Sequence, residues 1–240
     1  MGRGGNTAQA SLIPAVALKV AVIVRDCHFP DDRLYHVDSL TWLIRDSRTA
    51  TLGVTSSLCW LAGGIRTISL KPAGTKLLAG QSVGSIEGPR HFDVVRTPLP
   101  GTILEQNVRL GAAPELANRD PYGEGWLIRL GVNELAYEGV ELLEPEKARI
   151  KLDEKIRLMG IRCYSAFPEV EMYEIGTECS SVITKLNQTL GERKPGTVVL
   201  IVSDEPSTNV EMVRWSKETG NRLLEIKQRD GLFHVLVEKS

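Results

Sequence analysis

The chain has 240 residues, 42% of them hydrophobic and 25% charged, and a formal net charge of −1. That composition suits one large folded domain or two modest ones, and the balanced charge excludes a global pull toward nucleic acid or an anionic membrane. Four scattered cysteines (Cys27, Cys59, Cys163, Cys179) and four dispersed histidines give neither a disulfide framework nor a metal set, so a reduced, cytoplasmic protein is expected.

In chain order, residues 1–18 are rich in Gly, Ala and Ser and read as a disordered tail. The apolar run Leu12–Val24 is broken by Pro14 and Lys19 and is too short to span a bilayer. Its alternation at Val20, Val22 and Val24 suits a strand. From there to Gly131 short strand patterns dominate: Val20–Val24, Thr41–Arg45, Thr49–Gly53, Arg66–Leu70, Ser82–Ile86, Val94–Thr97 and Trp126–Leu130. Turn clusters such as Pro72-Ala73-Gly74 and Pro98-Leu99-Pro100-Gly101 punctuate them, which is the pattern of a β-sandwich or barrel. The stretch 134–158 is rich in Glu, Lys and Leu and reads as helical with a break at Pro145. Residues 146–168 are taken as the linker between domains 19–145 and 169–240.

After residue 168 the period changes. Val170–Ile175 is a strand pattern. Ser180 and Ser181 can cap a helix that places Ile183, Leu186 and Leu190 on one face and stops at Gly191. Thr197–Val202 is an unbroken apolar, β-branched run, the mark of a buried strand. Pro206 opens a second helix, with Val210, Met212 and Val213 expected inward and Gly220 closing it. Arg222–Lys227 and Leu232–Val237 flank Asp230-Gly231, a tight-hairpin pair. The order β-α-β-α-β-β predicts a two-layer sandwich with helices on one face of a mixed sheet.

The run Asp120-Pro121-Tyr122-Gly123-Glu124-Gly125-Trp126 closely resembles a signature of the glycine-cleavage H-protein family. The resemblance covers about 29–132. It includes Leu52-Gly53-Val54-Thr55, Gly63, the Leu70–Gly74 turn and Thr97-Pro98-x-x-Gly101. It implies a lipoyl/biotinyl-type β-sandwich (a hybrid or barrel-sandwich) carrying a lipoyl group on a hairpin lysine. At that lysine's place stands Arg90, three residues after Glu87, with Gly88 and Pro89 before it. A guanidinium cannot form the lipoyl amide, and no lysine lies between Lys76 and Lys147, so no lipoyl cofactor is expected. Arg90 with His91 is then either a recognition tip for an acidic partner or an anionic sulfur species, or a solvated remnant of the lost modification. Within the signature, Pro121, Gly123 and Gly125 are expected to build a turn seating Tyr122 and Trp126, a structural role.

From about Val170 onward the chain resembles the TusA/SirA-type sulfur-carrier domains. These place one cysteine directly before their first helix in Gly-x-x-Cys-Pro-x-Pro. Gly176-Thr177-Glu178-Cys179 occupies that place, with Ser180 and Val182 where the prolines stand. A thiolate, favoured by the amides and dipole of a helix start, can accept sulfane sulfur as a persulfide. Glu178 is expected to oppose ionisation and Ser180 to offer partial compensation. Cys163, in Gly160-Ile161-Arg162-Cys163, lies too far upstream for that role but is a candidate second thiol near Cys179. Cys27 and Cys59 read as core or surface residues of the β domain.

No acid–base dyad, phosphate loop or metal set is visible in the sequence. The chain therefore reads as a carrier or adaptor rather than an enzyme. Cys179 is the candidate persulfide site, and the expected partners are a sulfurtransferase or a lipoate-linked enzyme, with no nucleic acid or membrane. The alternatives are an interaction module in which both carrier sites are lost, and a lipoyl carrier of the glycine-cleavage type.

Overall fold

A computed structural model describes residues 21–240, and the tail expected over 1–18 lies outside the described residues. The described residues open with a hairpin of β1 (Ala21–Val24) and β2 (Cys27–Pro30), whose turn residues Arg25 and Asp26 adopt φ of 46° and 67°. A meander follows: β3 (Leu34–His36), β4 (Thr41–Asp46) and β5 (Thr49–Val54). Then comes α1 (Ser56–Ala62), a helix lying inside the region that reads as strands alone. Its ends are nonetheless local: the Thr55 hydroxyl accepts from the Leu58 amide, and Gly63 takes the left-handed φ of 72° that ends the helix. Next are β6 (Thr67–Leu70), β7 (Lys76–Leu77), β8 (Ser82–Glu87), β9 (Phe92–Arg96) and β10 (Gly101–Gln106). Short helices α2 (Arg109–Ala112) and α3 (Glu115–Arg119) lead to β11 (Ile128–Gly131).

These strands form a six-stranded sheet, β3-β4-β5-β11-β10-β7, and a three-stranded sheet, β6-β8-β9. Alternating residues from both, among them Leu43, Leu52, Ile103 and Leu130 from the first and Val83, Ile86 and Val95 from the second, share one core. This is the H-protein-like barrel-sandwich arrangement, with open sheets. The Asp120–Trp126 loop is built into it. The Trp42 indole N–H donates to the carbonyls of Val54 (2.9 Å) and Pro121 (3.0 Å). The Tyr122 hydroxyl donates to His28 O at 2.6 Å. Arg33 lies over the Trp42 and Tyr122 rings, 4.6 and 5.1 Å from their centroids. The whole motif is spent on packing.

Past a 3₁₀ turn at Glu134–Tyr137, α4 (Pro145–Leu158) opens on Pro145 at a first-turn position, where a missing amide costs nothing. Pro145 thus starts this helix instead of breaking a longer one. Ala148, Leu152 and Ile156 of α4 and Ile161 and Cys163 beyond it belong to the first core. The segment expected as a linker is therefore a core helix followed by a strap that buries Ile161 and Cys163.

The second body comprises β12 (Val170–Glu174), α5 (Cys179–Gly191), β13 (Val198–Ser203), α6 (Thr208–Thr219), β14 (Arg222–Arg229) and β15 (Leu232–Glu238). Its sheet order is β12-β13-β15-β14, with β12 and β13 parallel and the other pairs antiparallel. Asp230 and Gly231 both take positive φ (52° and 81°), the requirement of the tight β14–β15 turn. Val182, Leu186 and Leu190 of α5 and Met212 and Trp215 of α6 cover one face. The opposite face, through Val198, Leu200, Val202 and Leu236, packs under Tyr164 and Ala166 of the strap. Both faces are dry, which is why all six residues of β13 are buried. Val210 and Val213, expected inward, are exposed (64% and 42%); the inward line of α6 runs through Thr208, Met212 and Trp215 instead.

The two bodies meet along the strap. Phe167 stacks on Trp60 of α1 at 3.8 Å between ring centroids, and Tyr164 meets the same indole edge-on. The Tyr164 hydroxyl hydrogen-bonds His234 Nδ1 at 2.8 Å. Burial, then Arg162 and Arg229, push the His234 pKa down to about 4, so this imidazole is neutral at ordinary pH. Cys163 is joined to Cys27 by a disulfide. This corrects the expectation of four reduced cysteines. Spacing could not reveal the pair, because 136 residues separate its halves. No helix among the described residues is long and apolar enough to cross a membrane.

Candidate functional site

The site residues lie in two places. The β8–β9 hairpin carries Arg90 and His91 at its tip, and the tip is folded down onto the end of α1. The Arg90 amide donates to Ala62 O at 3.1 Å, and the Gly88 amide closes the turn on His91 O at 3.0 Å. A Cβ at Gly88 would sit 2.3 Å from Ala62 O and 2.6 Å from Gly64 O, backbone atoms that cannot yield. Glycine at this position is thus explained by close approach. The Arg90 guanidinium reaches across to the second body and pairs with Glu171 on β12, whose other carboxylate oxygen accepts from Tyr173 at 2.8 Å. His91 lies 3.7 Å from Asp93. The tip expected to be solvated, or reserved for an outside acidic partner, already has its acidic partner within the chain. Gly88→Ala should displace it: we expect the Arg90–Glu171 contact to open, with amide exchange at residues 88–91 accelerating about tenfold or more. Unchanged exchange there would sink this account.

Cys179 is the first residue of α5, so the cap falls at Glu178, two positions before the first of the expected cap residues, Ser180 and Ser181. Glu178 is the cap residue and its side chain makes no capping bond. The topology sets the thiol's surroundings. Because β12, β13 and β14 all run the same way, α5 and α6 both return antiparallel to them and so lie parallel, with their N-termini side by side at one edge of the sheet. Cys179 and Ser180 face Ser207, Glu211 and Arg214 across a groove of about 380 Å³ floored by Ile183 and Trp215.

Two influences on the thiol oppose one another. The first-turn amides of a helix favour an anion, and the neighbouring Ser207 hydroxyl, which also donates to Glu205 at 3.1 Å, acts in the same direction. Partial burial comes first on the other side, followed by the carboxylates of Glu211 and Glu205, and these win: the Cys179 pKa is raised. The opposing charges come from α6 and the loop before it, not from Glu178, and the compensating hydroxyl is Ser207, not Ser180. Arg214, the cation in the groove, is held by Glu218 (2.9 Å) and Glu211 (3.7 Å). A raised thiol pKa means less thiolate at neutral pH and alkylation that quickens as pH rises toward that pKa. Glu211→Gln should therefore speed iodoacetamide labelling of Cys179 several-fold at neutral pH, and Ser207→Ala should slow it. Equal rates in both variants would refute this electrostatic reading.

The remaining cysteines are otherwise engaged. Cys59 is fully buried, its thiol donates to Ala117 O at 3.2 Å, and burial pushes its pKa up to about 12. Cys27 and Cys163 are bonded to each other, so Cys163 is not a thiol partner for Cys179. Cys179 is the free cysteine with surface access.

Comparison with known proteins agrees with this two-body division. The family model of the glycine cleavage H-protein matches residues 34–155, and that of the sulfurtransferase TusA matches residues 174–239. Glycine cleavage system H protein 2 of Aquifex aeolicus is 34% identical over 140 residues, covering 58% of this chain and 87% of that protein. The glycine cleavage system H protein of Salinibacter ruber is 35% identical over 136 residues, covering 57% and 95%. A crystal structure of a glycine cleavage system H protein from Mycobacterium marinum superposes with a TM-score of 0.46 at 25% identity, covering 55% of this chain and all of that one.

Proposed function

The chain belongs to the glycine cleavage H-protein family, with a TusA domain behind the H-protein domain, and we propose that it carries sulfur, not a lipoyl group, as a persulfide on Cys179. The single observation that supports this most is the placement of its one accessible free thiol at the paired N-termini of α5 and α6. A persulfide is an anion at neutral pH, and converging helix starts favour an anion. The transfer balances without an outside oxidant. The Cys179 sulfur attacks the terminal sulfur of a donor persulfide, a new S–S bond forms as the donor's breaks, and the donor leaves as a thiol carrying the proton lost by Cys179.

The raised pKa of the resting thiol fits a carrier that stays quiet until a partner closes over the groove. Cations on a partner surface that pair with Glu211 and Glu205 would offset the carboxylates' share of that rise and favour the anion directly. A sulfurtransferase is the matching donor class. The H-protein domain serves as a docking body for enzymes that recognise H-protein surfaces, lipoate-linked enzymes among them. Arg90 takes the place of the lipoyl lysine, and no lysine lies within the hairpin.

The same raised pKa supports a second reading, an interaction module with an inert cysteine. Intact-mass measurement after incubation with a cysteine-dependent sulfurtransferase separates the two. We expect the chain to gain the mass of sulfur on Cys179 and to lose it on addition of a thiol. A chain that stays unmodified while forming a stable complex with the donor would favour the module. A lipoyl increment on material from the native host would overturn both.

A further inference from the structure

The disulfide between Cys27 and Cys163 lies where the two bodies are tied together. Cys27 opens β2 in the N-terminal hairpin, and Cys163 sits in the strap between α4 and β12. Asp26, next to Cys27, pairs with Arg229 and with Lys227 (3.2 Å) of β14. Arg229 also donates to the Cys163 carbonyl at 2.9 Å and lies over the Tyr164 ring. The Ser165 amide donates to Glu225 at 3.0 Å, and Tyr164 reaches His234. Apart from Arg90–Glu171, the polar contacts described between the two bodies all start at Asp26 or within residues 162–165. One covalent bond holds both starting points in register.

We propose that this disulfide is a redox-controlled fastener of the domain joint. The step is a two-electron exchange with an external dithiol. Its thiolate attacks one half-cystine sulfur, a mixed disulfide forms, and the dithiol's second thiol resolves it. Cys27 and Cys163 are left as thiols and the dithiol as a disulfide. Arg229 is bonded to the Cys163 carbonyl and paired with Asp26, and Arg162 pairs with Asp230, so the charges around the joint are compensated within it. Both half-cystines are nearly inaccessible (1% and 2% exposed), so exchange proceeds through local opening of the strap. Once the bond is cut, Asp26 and the strap separate, the polar contacts they anchor weaken, and the Arg90–Glu171 clasp and the packing of Tyr164 and Phe167 on Trp60 are left to hold the bodies. Oxidised, the hairpin tip and the sulfur-carrying domain move as one unit. Reduced, they move more freely against each other, and the clasp at the tip opens to partners more often.

The test uses the full chain carrying Cys179→Ser, so that no reactive thiol outside the pair interferes, compared before and after dithiothreitol. In the oxidised chain, peptide mapping should find Cys27 bonded to Cys163. After reduction, tryptic cleavage following Arg162 should accelerate about tenfold or more. Amide exchange over 161–174 should rise, and the far-UV circular dichroism of both domains should persist. Cys27→Ser with Cys163→Ser should behave as the reduced chain and ignore dithiothreitol. The inference fails if the mapped bond is missing, or if strap protection is the same in both redox states. It also fails if reduction unfolds the domains outright, since the bond would then be a stabiliser of the fold and not a fastener of the joint.

Discussion

Replacing Cys179 by serine is expected to abolish sulfur loading, lowering the sulfur-bearing fraction of the chain by about a hundredfold or more, because a hydroxyl cannot accept sulfane sulfur and no other thiol can take over. Cys59 sits in the core with its pKa pushed up to about 12, and the other two cysteines are bonded to each other. The measurement is intact mass after donor treatment, with peptide mapping to place the added atom. The variant should fold normally. Serine is close in size to cysteine, the position is only partly buried, and an oxygen at a helix start finds amide donors as readily as sulfur does. Loading that persists in the variant, or maps to Cys27 or Cys163, would remove Cys179 from the mechanism. Loading that survives only in the reduced chain would point to the disulfide cysteines instead.

Trp42→Ala should destabilise the first domain by about 3–5 kcal/mol, the range for emptying a large aromatic site. Trp42 is 1% exposed, and its indole N–H serves two carbonyls, one on β5 and one in the Asp120–Trp126 loop. Its ring lies over Gly53, where a Cβ would fall 2.4 Å from the ring carbon Cζ2. Removing the ring therefore opens a cavity, leaves two carbonyls without their donor and deprives Arg33 of one of its two aromatic faces. Trp42→Phe keeps most of the hydrocarbon and loses the N–H, for a smaller cost of about 1–2 kcal/mol. Urea titration with tryptophan fluorescence from the remaining indoles reads both. A Trp42→Ala loss under about 1 kcal/mol would mean the signature loop is not seated as described.

Several site features depended on partners the sequence does not bring near. Arg90 is visible as a residue at the hairpin tip, yet its pairing with Glu171 joins two domains. Glu178 is the obvious charged neighbour of Cys179 along the chain, but Glu211 and Glu205 set the thiol's pKa, because the return of α6 places them across the groove. For the same reason Val210 and Val213 look like inward residues beside Met212, while the crossing of α6 over the sheet selects Thr208, Met212 and Trp215. The expected linker shows how composition can mislead: α4 is rich in charge, but Ala148, Leu152 and Ile156 repeat every four residues and form a narrow apolar stripe that the core takes up.

What the chain's own order of residues determined is what short-range physics controls. The unbroken apolar run became the fully buried β13, Asp230-Gly231 supplied the two positive φ angles of a tight turn, Thr55 and Gly63 bounded α1, and a cysteine fell at the start of a helix. Each follows from backbone sterics, hydrogen bonds a few residues long, or the two-residue and 3.6-residue periods of side-chain burial. Only the tertiary structure decided the Cys27–Cys163 bond, the Arg90–Glu171 clasp, the strap gripped between Trp60 and the second sheet, and the sign of the Cys179 pKa shift. Those depend on distances between segments up to 136 residues apart, and such distances are fixed by how finished elements pack together, not by any local preference of the residues that meet.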